Sequence, residues 1–288
     1  MNLNQNRFIG QSETGRNPWW SYVILLLASF ITVVLLNQVM NKVLVPILKS
    51  SGLMETIGQD TFSYVFVGLV FTVLLLALKW IHPLLHHRSF ASLINVGGKA
   101  FRWKLYWRGF LQWGILLLIM QLVEDFSSFQ NFVRGFNLQS FLVVTSISAV
   151  ALFFQTFWEE LIFRGYLLQN VGRKFVGLWI PNLIIAVLFS LAHFGYGLGS
   201  LLSSAIYSVF LVLLTIKDDG IERASGIHFV NNFLLLTFFV KVDEVTNATF
   251  SWDPNWLGNF TLLVSATLIL LWSKAIPLGK SINLVKTT

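Results

Sequence analysis

The sequence alternates long, nearly charge-free apolar runs with short polar punctuation, beginning with "WWSYVILLLASFITVVLL" at 19–36. A helix that crosses the hydrocarbon core of a bilayer needs about 20 mostly apolar residues. Runs of that kind recur at about 20–38, 62–80, 107–123, 140–158, 178–193, 200–216, 225–241 and 257–273. Only 11% of the 288 residues are charged, against about a quarter in a soluble domain. A soluble globular class is therefore excluded. The expected fold class is all-α: a polytopic membrane protein with about eight transmembrane helices.

With no cysteine in the chain, disulfides, thiolate chemistry and Cys-ligated metals drop out. The first apolar run follows a polar stretch and lacks a small-residue cleavage site, so it reads as a retained span and not a signal peptide. No internal repeat of fixed period is visible. The expected organisation is an N-terminal tail (1–18), a single transmembrane domain (19–276) and a C-terminal tail (277–288). Lys and Arg accumulate in cytoplasmic loops. With both termini in the cytoplasm, only Lys42, Lys49, Arg134 and Lys241 of the 20 basic residues fall on the outer side. Localisation in the cell membrane, cytoplasmic termini and an external loop at 242–256 are therefore expected. The densest basic stretch, "FRWKLYWRGF" at 101–110, interleaves bases with aromatics. Beside an apolar span this reads as a headgroup-level interface and not as a nucleic-acid surface.

An ionisable side chain inside a span costs roughly 2.5–3.5 kcal/mol on insertion scales, so each one is a functional candidate. They are few: Glu159, Glu160, Arg164, His193 and His228, with Asn232 as a neutral companion. His82, His86 and His87, in "HPLLHH" at a helix end, are assigned to the membrane interface. Glu160 and Arg164 are four residues apart with the acid first, so they share a helix face and pair. Glu159 is rotated by about 100° from its neighbour and is the freer carboxylate, placed to take a proton from water. His228 and Asn232 share a face of the seventh span, whereas Asn231 points elsewhere and receives no role. A lone membrane histidine is more often a helix–helix hydrogen-bond donor than a catalyst. Here two histidines, an asparagine and a glutamate pair make up nearly the whole intramembrane polar inventory. A hairpin turning at "GRKFVG" (172–177) sets Glu159 opposite His193, and His228 joins them if that turn protrudes into the cytoplasm. The fifth span would then end inside the membrane at the Gly-rich "HFGYGLGS".

Glu159-Glu160-x-x-x-Arg164, Phe189-x-x-x-His193 and His228-x-x-x-Asn232, in that order, resemble the motifs of the CAAX-processing and bacteriocin-processing family of intramembrane proteases (CPBP, also called Abi). The motifs span 159–232, within a similar core of about 140–241. The resemblance implies an eight-helix fold whose active site opens toward the cytoplasm. It implies an intramembrane endopeptidase that hydrolyses a membrane-associated peptide, lipidated or bacteriocin-like, with glutamate-activated water. Carried over, Glu159 is the general base, His193 and His228 position water or stabilise the oxyanion, and Asn232 donates a hydrogen bond. Glu160, Arg164 and Phe189 support the site. The alternative is a non-proteolytic membrane partner on the same fold, acting in bacteriocin immunity or as a sensor-kinase scaffold.

Members of the family are often described as metalloproteases, and Glu159, His193 and His228 are the three candidate ligands for zinc. The chain lacks the helical His-Glu-x-x-His arrangement of zinc proteases, and no carboxylate is evident as a partner for either imidazole. No cofactor is therefore favoured. Ser200 lacks the setting of a rhomboid nucleophile, and Asp218 and Asp219 fall in a loop, not in the paired span positions of aspartyl types. The expected partners are the bilayer and a peptide substrate.

Overall fold

The computed structural model describes residues 6–52, 58–98, 100–124, 126–134, 136–239 and 250–275. Among them, eight long helices occupy the eight expected positions. They are α1 (Trp19–Ser50), α2 (Gln59–His86), α3 (Trp103–Glu124), α4 (Leu138–Gly172), α5 (Trp179–Leu191), α6 (Leu198–Asp218), α7 (Glu222–Leu234) and α8 (Trp256–Trp272). A π-helical turn, Leu235–Phe239, prolongs α7. Among the described residues, extended pairing is confined to an isolated bridge between Asn95 and Gly220. The protein is an all-α polytopic membrane protein. Four helices, α1, α2, α4 and α6, are each long and apolar enough to cross a bilayer. The shorter α5 and α8 have 13 and 17 residues. The C-terminal tail, residues 240–241 of the expected seventh span and residues 242–249 of the expected outer loop lie outside the described residues.

The site depends on α7 being held in the middle of the bundle, where residues 222–230 are all buried. Glycines make this possible by letting backbones touch. A methyl group at Gly226 would lie 2.0 Å from the Tyr106 carbonyl oxygen of α3, and one at Gly109 would lie 2.4 Å from the Arg223 carbonyl oxygen. Small residues at such crossings replace the hydrophobic drive that helices lack inside lipid.

One end of the bundle is sealed by polar contacts. Ile221 N–H donates to Ile94 O at 2.9 Å, and Val96 N–H donates to Asp219 O at 3.1 Å, tying the α2–α3 connection to the α6–α7 turn. Glu222 is fully buried. It accepts hydrogen bonds from Asn95 Nδ2 at 2.6 Å and Arg102 Nε at 2.8 Å. This anchoring starts α7 at Glu222 and not at 225. The N-terminal stretch, expected as a tail, packs into this end as well. Its single turn Arg7–Gly10 buries Phe8 and Ile9, and Asn6 Nδ2 donates to Ile216 O at 3.3 Å.

His82 and His86 correct an expectation: both are fully buried in this end and do not sit at the lipid interface. His86 Nδ1–H donates to Arg16 O at 2.9 Å, and its Nε2 accepts from the Tyr166 hydroxyl at 2.8 Å. Arg88 donates to His82 Nε2 and to Gln169 Oε1, both at 3.1 Å. Burial draws the Arg88 pKa down to about 10, which leaves it charged at neutral pH. The cover is supplied by residues 15–17 and α4, so no spacing within 81–88 reveals it. His87, exposed and with φ 51°, ends α2 as the interfacial reading expects.

Candidate active site

Regular α-helix in α4 stops at Glu160, and Leu161–Leu167 adopt π-helical geometry. Such widened turns are rare and concentrate at functional sites. Here the turn carries Arg164, whose Nη1 donates to Glu160 Oε1 at 2.8 Å with both side chains fully buried. The expected pair is therefore present.

It is not the whole arrangement. His228 Nδ1 lies 2.7 Å from the same Glu160 Oε1. That oxygen already accepts from a guanidinium, so Nδ1 is the donor and carries the ring hydrogen. Nε2 of His228 then faces Glu159, with Oε2 3.6 Å away. Glu160 thus holds Arg164 and His228 together, and it is the carboxylate partner of an imidazole that the sequence reading did not find. No spacing could have shown it, because 68 residues separate Glu160 from His228. The other carboxylate is held more loosely. Glu159 Oε1 accepts from Gln155 Nε2 at 3.2 Å, while its buried Oε2 has no hydrogen-bond partner among the described residues.

α5 ends at Leu191, short of the expected 193, and His193 follows in the turn. His193 Nδ1–H donates to the Phe189 carbonyl oxygen at 2.8 Å, so its Nε2 is the nitrogen left available. The Phe189 ring packs against both imidazoles, at 4.7 Å from His193 and 5.8 Å from His228. Arg164 Cζ lies 4.5 Å from the same ring centroid, a cation–π contact. Phe189 therefore touches one residue from each of three helices or turns, which gives the aromatic position of the Phe-x-x-x-His motif a physical purpose.

A cavity of about 300 Å³ is lined by His193, His228 and Asn232 together with Asn231, Tyr207 and Trp113. Glu159 borders His228 and is not part of the cavity wall. Asn231, set aside on helical spacing, proves to face the cavity, which wraps around more of α7 than one residue's width. Tyr207 was also missed: it is buried, and its ring stands edge-on to His228 at 5.7 Å. In the sequence it is one Tyr in an apolar helix, with nothing to distinguish it from core.

The cavity runs on to Ser200 and the exposed Asn255. Leu198 N–H donates to Ser251 O and Gly199 N–H to Asp253 O at this end, opposite the end sealed by Glu222. The resemblance implies a site opening to the cytoplasm, whereas the charge rule places the Glu222 end there. The cavity does not satisfy both expectations together.

The fit of these residues to a metal is mixed in its parts. Both imidazoles have the outer partner that fixes a metal-binding histidine, a carboxylate for His228 and a carbonyl for His193. This removes one of the two sequence arguments against a metal. Convergence is what fails: among the described residues, no three His, Asp or Glu side chains come together closely enough to hold an ion.

Residues 141–234 match the model of a family described as type II CAAX prenyl endopeptidase Rce1-like. The matched segment holds every motif residue, so the core of this helical membrane protein is similar to that family, consistent with the CPBP resemblance. Over the whole chain, it is similar to the protein YyaK of Bacillus subtilis (strain 168), described as uncharacterized. The identity is 25% over 292 aligned positions, covering 93% of this chain and 96% of the relative. No solved structure matches.

Proposed function

We propose that the protein is an intramembrane endopeptidase of the CPBP type, in which Glu159 activates a water molecule to hydrolyse a peptide bond of a membrane-associated substrate. The observation that carries this is the approach of Glu159 Oε2 to His228 Nε2, 3.6 Å apart. With Nδ1 donating to Glu160, Nε2 of the neutral imidazole is an acceptor, as is Glu159 Oε2. A water seated beside the pair can donate one hydrogen to each and leave a lone pair for the scissile carbonyl.

Glu159 then takes a proton as the water oxygen bonds to the carbonyl carbon, and the carbonyl oxygen becomes an oxyanion. Asn232, on the cavity wall, is the donor for that oxygen. One such donor is worth about 10²–10³ in kcat in other hydrolases. Collapse breaks the C–N bond, and Glu159 returns its proton to the leaving amine. His193 Nε2 lines the same cavity and orients water or the substrate amide. Glu160 and Arg164 fix His228, and Phe189 packs between both histidines. None of these steps needs a metal ion, which is why the reading favours no cofactor. The transmembrane domain sits in the cell membrane with both termini in the cytoplasm on the charge rule, and the Rce1-like match favours a lipidated peptide among substrates.

Comparative proteomics of membrane peptides tests this reading in cells. A strain carrying Glu159→Gln should accumulate uncleaved peptide relative to wild type at equal protein abundance. Identical peptide profiles with an intact phenotype would favour the binding-only alternative.

A further inference from the structure

The hydrogen-bond chain that ends at Asn232 begins on another helix. Trp113 of α3 is fully buried. Its Nε1–H donates to Asn231 Oδ1 at 3.0 Å, and Asn231 Nδ2–H donates to Asn232 Oδ1 at 3.2 Å. Trp113, Asn231 and Asn232 line the same cavity.

The direction of this chain is set by chemistry. An indole is a donor only, so Asn231 must turn its oxygen toward Trp113. That choice fixes the Asn231 amide, whose nitrogen then faces Asn232. Asn232 must present its oxygen in return, which leaves its Nδ2 as the group turned away from the relay. An isolated asparagine side chain can flip between donor and acceptor at little cost, whereas this one is held by two preceding bonds. The rings of Tyr207 and Phe210 pack against Trp113 at 5.5 and 5.4 Å, so the indole is held in place.

We propose that Trp113 and Asn231 are positioning residues: a one-way Trp113→Asn231→Asn232 relay keeps the Asn232 amide oriented as a hydrogen-bond donor. The inference rests on the peptidase reading for its catalytic consequence, and on the three side chains alone for its existence. The relay makes Asn232 a pre-set donor, the property that distinguishes an oxyanion site from a polar wall.

The test has two arms on the full chain in phospholipid vesicles. In the first, a farnesylated CAAX peptide carrying a quenched fluorophore is the substrate for wild type, Trp113→Phe, Asn231→Asp and the double variant. Trp113→Phe keeps an aromatic ring but frees Asn231 to flip, and kcat should fall about tenfold. Asn231→Asp still accepts from the indole but offers Asn232 only an acceptor, drawing its amide away. There kcat should fall about a hundredfold, within the range for losing one such donor, with KM within about twofold. The double variant should be no worse than Asn231→Asp. A kcat for Asn231→Asp within about threefold of wild type, or a double variant whose loss is the product of the singles, overturns the proposal. In the second arm, ultraviolet resonance Raman isolates Trp113 as wild type minus Trp113→Phe. Its indole N–H mode should report a hydrogen bond that Asn231→Leu abolishes, and an unchanged mode overturns the relay. A wild type that leaves the peptide uncut counts against the peptidase reading on this substrate, while the Raman arm still decides the relay.

Discussion

Glu222 and Glu159 are both buried carboxylates, at 0% and 9% exposure, and they are held in different ways. Glu222, in the sealed end, accepts from Asn95 and Arg102, and Arg102 is bound to the turn by a further bond to Asp218 O at 2.7 Å. Glu159, beside the cavity, has Gln155 on one oxygen and, among the described residues, no hydrogen-bond donor on the other. A carboxylate whose acceptor sites are filled is a structural tie. One that is fixed in place with an open oxygen costs stability and is available for a proton. Glu160 stands between the two cases: its Oε1 is tied to both Arg164 and His228, while its Oε2, like that of Glu159, has no hydrogen-bond partner among the described residues. The contrast explains why a chain so poor in charge carries adjacent glutamates. On the proposed reading, Glu160 ties Arg164 and His228 together, and Glu159, which has no cationic guanidinium partner, is the one left to act.

The largest effect should come from cutting the ties. Breaking a fully buried ion pair from one side costs about 3–5 kcal/mol, so Glu160→Gln should lower thermal stability strongly; Glu222→Gln should lower it less, because the Arg102 side chain is 34% exposed and can be solvated. They should part company in the molecules that remain folded. Glu222→Gln should retain near-normal turnover per folded molecule, whereas Glu160→Gln should lose it because His228 loses its anchor. Equal turnover for the two, measured against the folded fraction, would erase the distinction between the ends.

Single cysteines are introduced without background because the chain has none. Glu13→Cys reports the sealed end, and Trp252→Cys reports the cavity end, where Trp252 is 77% exposed. A membrane-impermeant thiol reagent should label the two variants from opposite sides, at least tenfold faster on each preferred side, with the thiol at position 13 reached from the cytoplasm. Labelling of the thiol at position 252 from the cytoplasm alone would reverse the charge-rule orientation and restore the cytoplasmic opening that the family resemblance implies.

The smallest effect is expected from metal removal. Dialysis of the purified protein against a strong chelator should leave cleavage unchanged, since Glu159, His193 and His228 do not gather as three ligands. Loss of activity restored by stoichiometric zinc, but not by magnesium, would reopen the identity of the base.

Local pattern made the helices legible. All eight long helices follow from apolar runs, and the Glu160–Arg164 pair follows from one-turn spacing. The hidden features depend on contacts far apart in the chain. His82 and His86 looked interfacial because the cover over them comes from residues 15–17 and Tyr166. Asn231 looked idle because its partner, Trp113, is 118 residues away on another helix. The second role of Glu160 rests on His228, 68 residues on. Helical periodicity reports which residues share a face, but not which face meets which neighbour.

On the proposed reading, Glu159 supplies the reactive carboxylate while its neighbour supplies structure. The most direct measurement is cleavage of the farnesylated CAAX peptide by purified wild type and Glu159→Gln in vesicles, with thermal stability recorded on the same samples. Wild type should cleave, and Glu159→Gln should lose at least 10²-fold in kcat, in line with removal of a positioned base worth about 10²–10⁴, at a melting temperature close to wild type. A Glu159→Gln protein that is equally stable and cleaves at the wild-type rate would contradict the account.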